Sequence, residues 1–273
     1  MPTRAGTIIK NPSRIPNLDR EKLTEQKIRT KTAIEDVDDM SDEYYVTLNR
    51  LLLEMAESEL ALAYPRYQWL SRAPLIEQSL IISNILRSHL RLANTMFKLT
   101  KSVGFEPSSF IGRYYFYTAP GFGGSNPVNS TESEMDDRIP LPYHPIATWL
   151  ELIMSLFCVT RALSIKLENT KSSSFGPWKR SCRIFIDEKK MDLALAESWM
   201  KKFAFNKSMK KETEPLLSKW YAVAVEEFVV QDEVFLENQK RFDLVEKDIS
   251  ELNNDFKNEM RIKCSELGLR FPQ

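Results

Sequence analysis

Histidine, cysteine and glycine are scarce in this chain of 273 residues: two histidines, three cysteines and eight glycines. Cys158, Cys182 and Cys264 are widely spaced, which excludes a disulfide framework and fits a reducing compartment. With only His89 and His144 beside them, they also exclude a zinc ribbon or Cys-His finger and leave little for a His-rich metal site. Excess charge of either sign is missing as well. Lys plus Arg is 38 and Asp plus Glu is 38, so the formal net charge is zero. That balance gives no electrostatic case for nucleic acid or an anionic membrane as the main partner. The most apolar run, about residues 146–160, carries Glu151 and falls short of the roughly 20 residues of a transmembrane helix. The opening MPTRAGTIIKNPSRIP lacks the apolar region of a secretory signal. A soluble, cytoplasmic protein is expected.

What remains is long segments of Leu, Ala, Glu and Lys, the composition of a mostly α-helical chain. Residues 1–31, basic and punctuated by proline, read as an extended or disordered arm, and 32–273 as one helical domain. Periodicity places helices at about residues 42–62, 74–103, 146–167 and 178–203. Ser41 opens the first as a cap, Tyr64-Pro65 ends it, Gly104 closes the second, and Pro177 starts the fourth. C-terminal helices follow over about 214–267: one to about 230, then a charged segment. That segment spaces Val234, Phe235, Val245, Ile249, Leu252, Phe256 and Met260 near a helical period, for packing on its own bundle or on a partner helix. Between the second and third helices lies a loop, 105–145, too long to be purposeless. Its Gly-Phe-Gly-Gly has no Gly-Lys-Ser/Thr after it and is no phosphate loop, while its YYFY is a candidate interface.

Each of the four long helices has a polar interruption in its apolar stripe. Glu59 fills the gap in the series Tyr45, Leu48, Leu52, Met55, Leu62. His89 falls among Ile82, Ile85, Leu92 and Met96, and Thr160 shares a face with Trp149, Ile153, Leu156 and Leu163. Lys189 and Asp192 both interrupt the stripe Trp178, Cys182, Phe185, Ala196, Trp199. A lone buried charge costs several kcal/mol or more, so such groups must pair. Glu59 with Lys189 is the expected pair, with Asp192 sharing the ammonium and His89 completing the cluster.

The chain resembles the catalytic subunit of phenylacetyl-CoA epoxidase, a multicomponent di-iron monooxygenase of the phenylacetic acid catabolic family. The resemblance is carried by TAIEDVDDMSDEYYVTLNRLL, by SELALAYPRYQWLSRAP, by the ungapped run from Arg72-Ala73-Pro74 to Gly104, and from Trp149 through Ser174-Phe175-Gly176-Pro177 into the fourth helix. It spans about residues 32–197. It implies an all-α fold: a ferritin-like four-helix bundle with additional C-terminal helices.

Carried over by position, the family's iron ligands fall on Glu59, His89, Leu92, Thr160, Lys189 and Asp192. Only Glu59 keeps its ligand type. The second helix's Glu-x-x-His becomes His89 and Leu92, the third helix's aspartate Thr160, and the fourth helix's Glu and His become Lys189 and Asp192. No Glu-x-x-His occurs anywhere in the chain. The resemblance therefore implies a metal-free pseudo-enzyme subunit with no cofactor of its own, scaffolding a catalytic paralogue that carries Glu-x-x-His motifs and sharing an acyl-CoA-binding interface with it. Two other readings stand beside it. One is an active oxygenase with a remodelled site, in which Glu59, His89 and Asp192 hold a single metal; the other is a free-standing helical binding protein.

Overall fold

The computed structural model describes residues 10–106, 146–229 and 232–272, which form eight helices and, among them, no β-strand. They are α1 (Asn17–Arg29), α2 (Asp42–Tyr67), α3 (Ile76–Ser102), α4 (Trp149–Glu168), α5 (Gly176–Ala204), α6 (Lys207–Glu226), α7 (Glu233–Arg241) and α8 (Ile249–Glu266). The fold is an all-α bundle. Helices α2 to α5 form its four-membered centre, with α2 packed on α3, α4 on α5 and α3 on α5. Both α6 and α8 cover α4, which is therefore buried almost all round. The Gly-Phe-Gly-Gly and YYFY segments lie outside the described residues. No described helix is long and apolar enough to cross a membrane.

Local chemistry sets most of the helix ends. The Ser41 hydroxyl accepts the Tyr44 N–H at 3.1 Å, with Asp42 and Glu43 in the first turn of α2. Gly104 closes α3 at φ +86, a left-handed angle that glycine adopts without strain. Before α5, Ile34 and Phe175 form one isolated parallel bridge, and Pro177 occupies the first turn.

Four expectations need correction. Helix α2 does not end at Tyr64-Pro65 but runs through Pro65 to Tyr67. The proline removes one backbone donor close to the helix end, and the extra turn buries Arg66 completely. Within the arm expected to be extended or disordered, residues 17–29 are helical. Helix α1 has no clear apolar stripe and is held by tertiary hydrogen bonds: Arg20 donates to the Met40 carbonyl and pairs with Asp42 at 2.8 Å, and Thr24 donates to the Asp39 carbonyl. Helix α6 begins at Lys207, before the expected start, with Pro215 inside it. The charged tail is two helices: Asp243 takes a left-handed φ of 51 after α7, and Asp248 with Glu251 builds a capping box that starts α8.

The tail packs on its own bundle. Phe256, Met260 and Cys264 are fully buried against α4 and α6, and Arg161 of α4, also buried, pairs with Glu259 of α8 at 3.1 Å. Truncating Phe256 to Ala should therefore cost about 3–5 kcal/mol in a urea titration. A loss under ~1 kcal/mol would mean that α8 is detached in solution.

Candidate functional site

The apolar interior is not continuous. One cluster takes Leu92, Ala93, Met96, Trp178, Cys182 and the α2 residues up to Ala56. The other takes Ala61, Leu62, Ile82, Ile85, Leu156 and Ala196. Between them, at mid-height of the bundle, the same helices carry Glu59, His89 and Lys189, with Thr160 beside them from α4, and all four are buried. The sequence folds this way because each polar residue occupies the apolar stripe of its own helix. Burying the stripe takes the polar group inside with it.

Glu59 Oε2 is the hub. It accepts from Lys189 Nζ at 2.6 Å and from His89 Nδ1 at 2.5 Å. Arg66 Nη1 lies 2.9 Å from His89 Nε2, and Arg66 Nη2 lies 3.4 Å from the Thr160 hydroxyl. A guanidinium only donates, so Nε2 of His89 accepts and Nδ1 carries the ring proton towards Glu59. The 2.7 Å approach of Lys189 Nζ to Nδ1 then sets two donors side by side on one carboxylate oxygen. His89 is a neutral connector between two cations and one anion.

The expected Glu59–Lys189 pair and its His89 neighbour are present, and Thr160 joins through Arg66. Asp192 does not share the ammonium as expected. Its Oδ2 is buried but has no hydrogen-bond partner among the described residues, and it balances Lys189 and Arg66 through charge alone. Leu92 sits in the adjoining apolar cluster. Arg66 was not anticipated, because Pro65 reads as a helix stop. The signal was the step of three and then four from Glu59 through Leu62, which reaches Arg66 if α2 continues. With Arg66 added, the layer holds two cations and two carboxylates.

Electrostatics follows from this packing. Burial, reinforced by the Lys189 charge, holds His89 neutral, pushing its pKa from 6.5 down to about 3. Burial alone would raise the Glu59 carboxyl, but the Lys189 charge and the hydrogen bonds outweigh it and bring it from 4.5 to about 2. Burial wins at Asp192, raising it from 3.8 to about 6 against the pull of Lys189 and Arg66. Arg66, lowered by burial to about 10, stays cationic at neutral pH.

Chemically the layer is an ionic lock in which two buried atoms, Asp192 Oδ2 and Arg66 Nε, have no hydrogen-bond partner among the described residues. Both His89 nitrogens are engaged and Glu59 is tied to an ammonium. No group of three or more His, Cys, Asp or Glu side chains that could hold a metal ion occurs among the described residues.

An all-helical bundle with a buried polar layer across its four central helices defines the class of protein. Within that class, the family model for phenylacetic acid catabolic proteins matches residues 23–273, and the chain belongs to this family. The match starts before residue 32 and runs past residue 197, so family likeness extends through the C-terminal helices, beyond the span legible in the motifs. No curated protein matches the chain.

Two outcomes test the layer. Changing Lys189→Ala strands a buried Glu59 carboxylate and should destabilise by about 3–5 kcal/mol in chemical denaturation. A change below ~1 kcal/mol would mean a solvated ammonium.

The pH dependence has a defined sign. Unfolded His89 takes up a proton below 6.5 that the folded protein refuses down to about 3, so acidification across that window favours unfolding. Glu59 adds to the loss below 4.5, the unfolded value, down to about 2. Asp192 opposes both, because it protonates near 6 when folded but at 3.8 when unfolded. Asp192→Asn should therefore lose stability more steeply than the native protein between those two values, measured by Tm against pH. Parallel curves would remove Asp192 from the layer.

Proposed function

We propose that this chain is a non-catalytic subunit of a multicomponent di-iron monooxygenase resembling phenylacetyl-CoA epoxidase, scaffolding a catalytic paralogue with Glu-x-x-His motifs. The observation that carries this reading is the ammonium of Lys189, 2.6 Å from Glu59 Oε2. By family position, Lys189 stands where a carboxylate ligand would stand, and Glu59 is the one ligand type retained. The residues present do not fit a metal pair: the single ligand-type carboxylate is bonded to a cation, and the His89 lone pair faces Arg66. Lys189 and Arg66 supply positive charge where bound metal would supply it, so the bundle keeps its charge balance without a cofactor. Membership in the phenylacetic acid catabolic family supports the assembly in which such a subunit has a use.

A second reading rests on Asp192, whose buried Oδ2 has no hydrogen-bond partner among the described residues. With Glu59 and His89 it supplies three donors for a single metal. That arrangement requires Lys189 to leave Glu59 and Arg66 to leave His89, which is why the scaffold reading is preferred.

Co-expression with the Glu-x-x-His paralogue of the same genome decides between them. The expected result is a stable heteromer on size exclusion, with iron on the paralogue and none retained by this chain purified alone. Stoichiometric metal on the isolated chain, or dioxygen consumption by it, would establish the remodelled-site reading instead.

A further inference from the structure

Helices α3 and α5 lie side by side and antiparallel. Ser88 and His89 meet Glu188 and Lys189, while Arg91, further along α3, reaches back to the Phe185 ring as well as to Glu188. Their inner faces carry the charged layer; their outer faces are exposed and unlike the rest of the surface. On α3, Ile76, Leu80, Arg87 and Lys98 follow at steps of four, seven and eleven residues, all exposed. On α5, Ile184, Met191 and Lys202 follow at steps of seven and eleven. Each step returns to the same helix face, so the two helices present parallel stripes that mix apolar and cationic side chains. Ile76 and Met191 are 71% and 72% exposed, among the most exposed large apolar side chains of the described residues.

Charge on this surface is unbalanced although the chain is neutral. Arg87, Lys98, Arg183 and Lys202 are exposed and make no ion pair among the described residues. The exposed carboxylates nearest them on these helices outside ion pairs are Glu77 and Asp187, and Glu188 is engaged by Arg91 and Ser88. Exposed aliphatic side chains set among unpaired Arg and Lys are the chemistry of an interface core with a charged rim.

We propose that the outer α3–α5 face docks an acidic protein surface with an apolar centre, and that in the assembly described above this surface belongs to the catalytic paralogue. The identity of the occupant rests on the proposed function; the chemistry of the face does not. A nucleic acid backbone would leave Ile76, Ile184 and Met191 without apolar cover. A bilayer would be met by a continuous apolar band, not by stripes interrupted by cations and by Asp187. A protein surface satisfies both components residue by residue.

The test is binding of the full chain to the Glu-x-x-His paralogue by calorimetry, at low and raised salt. The native chain is compared with Arg87→Glu/Lys98→Glu/Lys202→Glu, and with Lys22→Glu/Lys211→Glu as a control on α1 and α6. Circular dichroism and Tm establish that each variant is folded. The face variant should bind about tenfold or more weakly and lose most of its salt dependence, while the control binds like the native chain. Equal binding by the face variant overturns the proposal but leaves the subunit reading standing. Failure of the native chain to bind the paralogue overturns that reading and, with it, the occupant assigned here. Binding to phosphatidylserine vesicles or a DNA duplex that the face reversals abolish, with paralogue affinity unchanged, overturns the proposal in favour of those ligands.

Discussion

The Glu59–Lys189 ion pair is the constraint around which the bundle is arranged. Two full charges, both buried, are tolerated inside a protein only when held at hydrogen-bond distance with their remaining polar atoms satisfied. That requirement sets the rotation of α2 against α5. It also draws in His89 from α3, whose ring proton occupies the shared carboxylate oxygen, and Arg66, which caps the ring's other nitrogen. The apolar core is consequently split into two clusters, each an ordinary close-packed interior, with a polar seam between them. An axial slip of α2 against α5 would part the Glu59 carboxylate from its ammonium and leave a buried charge uncompensated.

The seam also frames the protein's place in its family. The positions on which the resemblance places metal ligands lie at or beside the seam. Those positions hold Glu59, His89, Leu92, Thr160, Lys189 and Asp192. Lys189 and Glu59 neutralise each other directly. On the surface, the neutrality of the whole chain conceals a local excess of cations, with Arg87, Lys98, Arg183 and Lys202 on the outer side of the two helices that carry Lys189 and His89.

Much of this was legible in the residues. Apolar stripes located the four long helices and identified Glu59, His89, Thr160, Lys189 and Asp192 as interruptions facing a common interior. Less accessible was whatever depended on contacts distant in sequence. Arg66 was hidden because Pro65 is a strong local stop signal, overridden when burial of the next turn outweighs one lost hydrogen bond. Helix α1 was hidden because its order comes from Arg20 and Thr24 bonding to the 39–42 segment and not from a stripe. The break between α7 and α8 was hidden because an aspartate in a left-handed conformation carries little advance signal.

By itself, then, the sequence determined the helical class, the stripe each helix must bury and the polar groups that burial would carry inside, since all three follow from the period of the helix. Only the tertiary structure decided how they pair: that Asp192 Oδ2 stays unbonded among the described residues while Arg66 joins, and that His89 is a neutral donor to Glu59. Pairing depends on distances between helices, and those are set by packing that no single helix specifies.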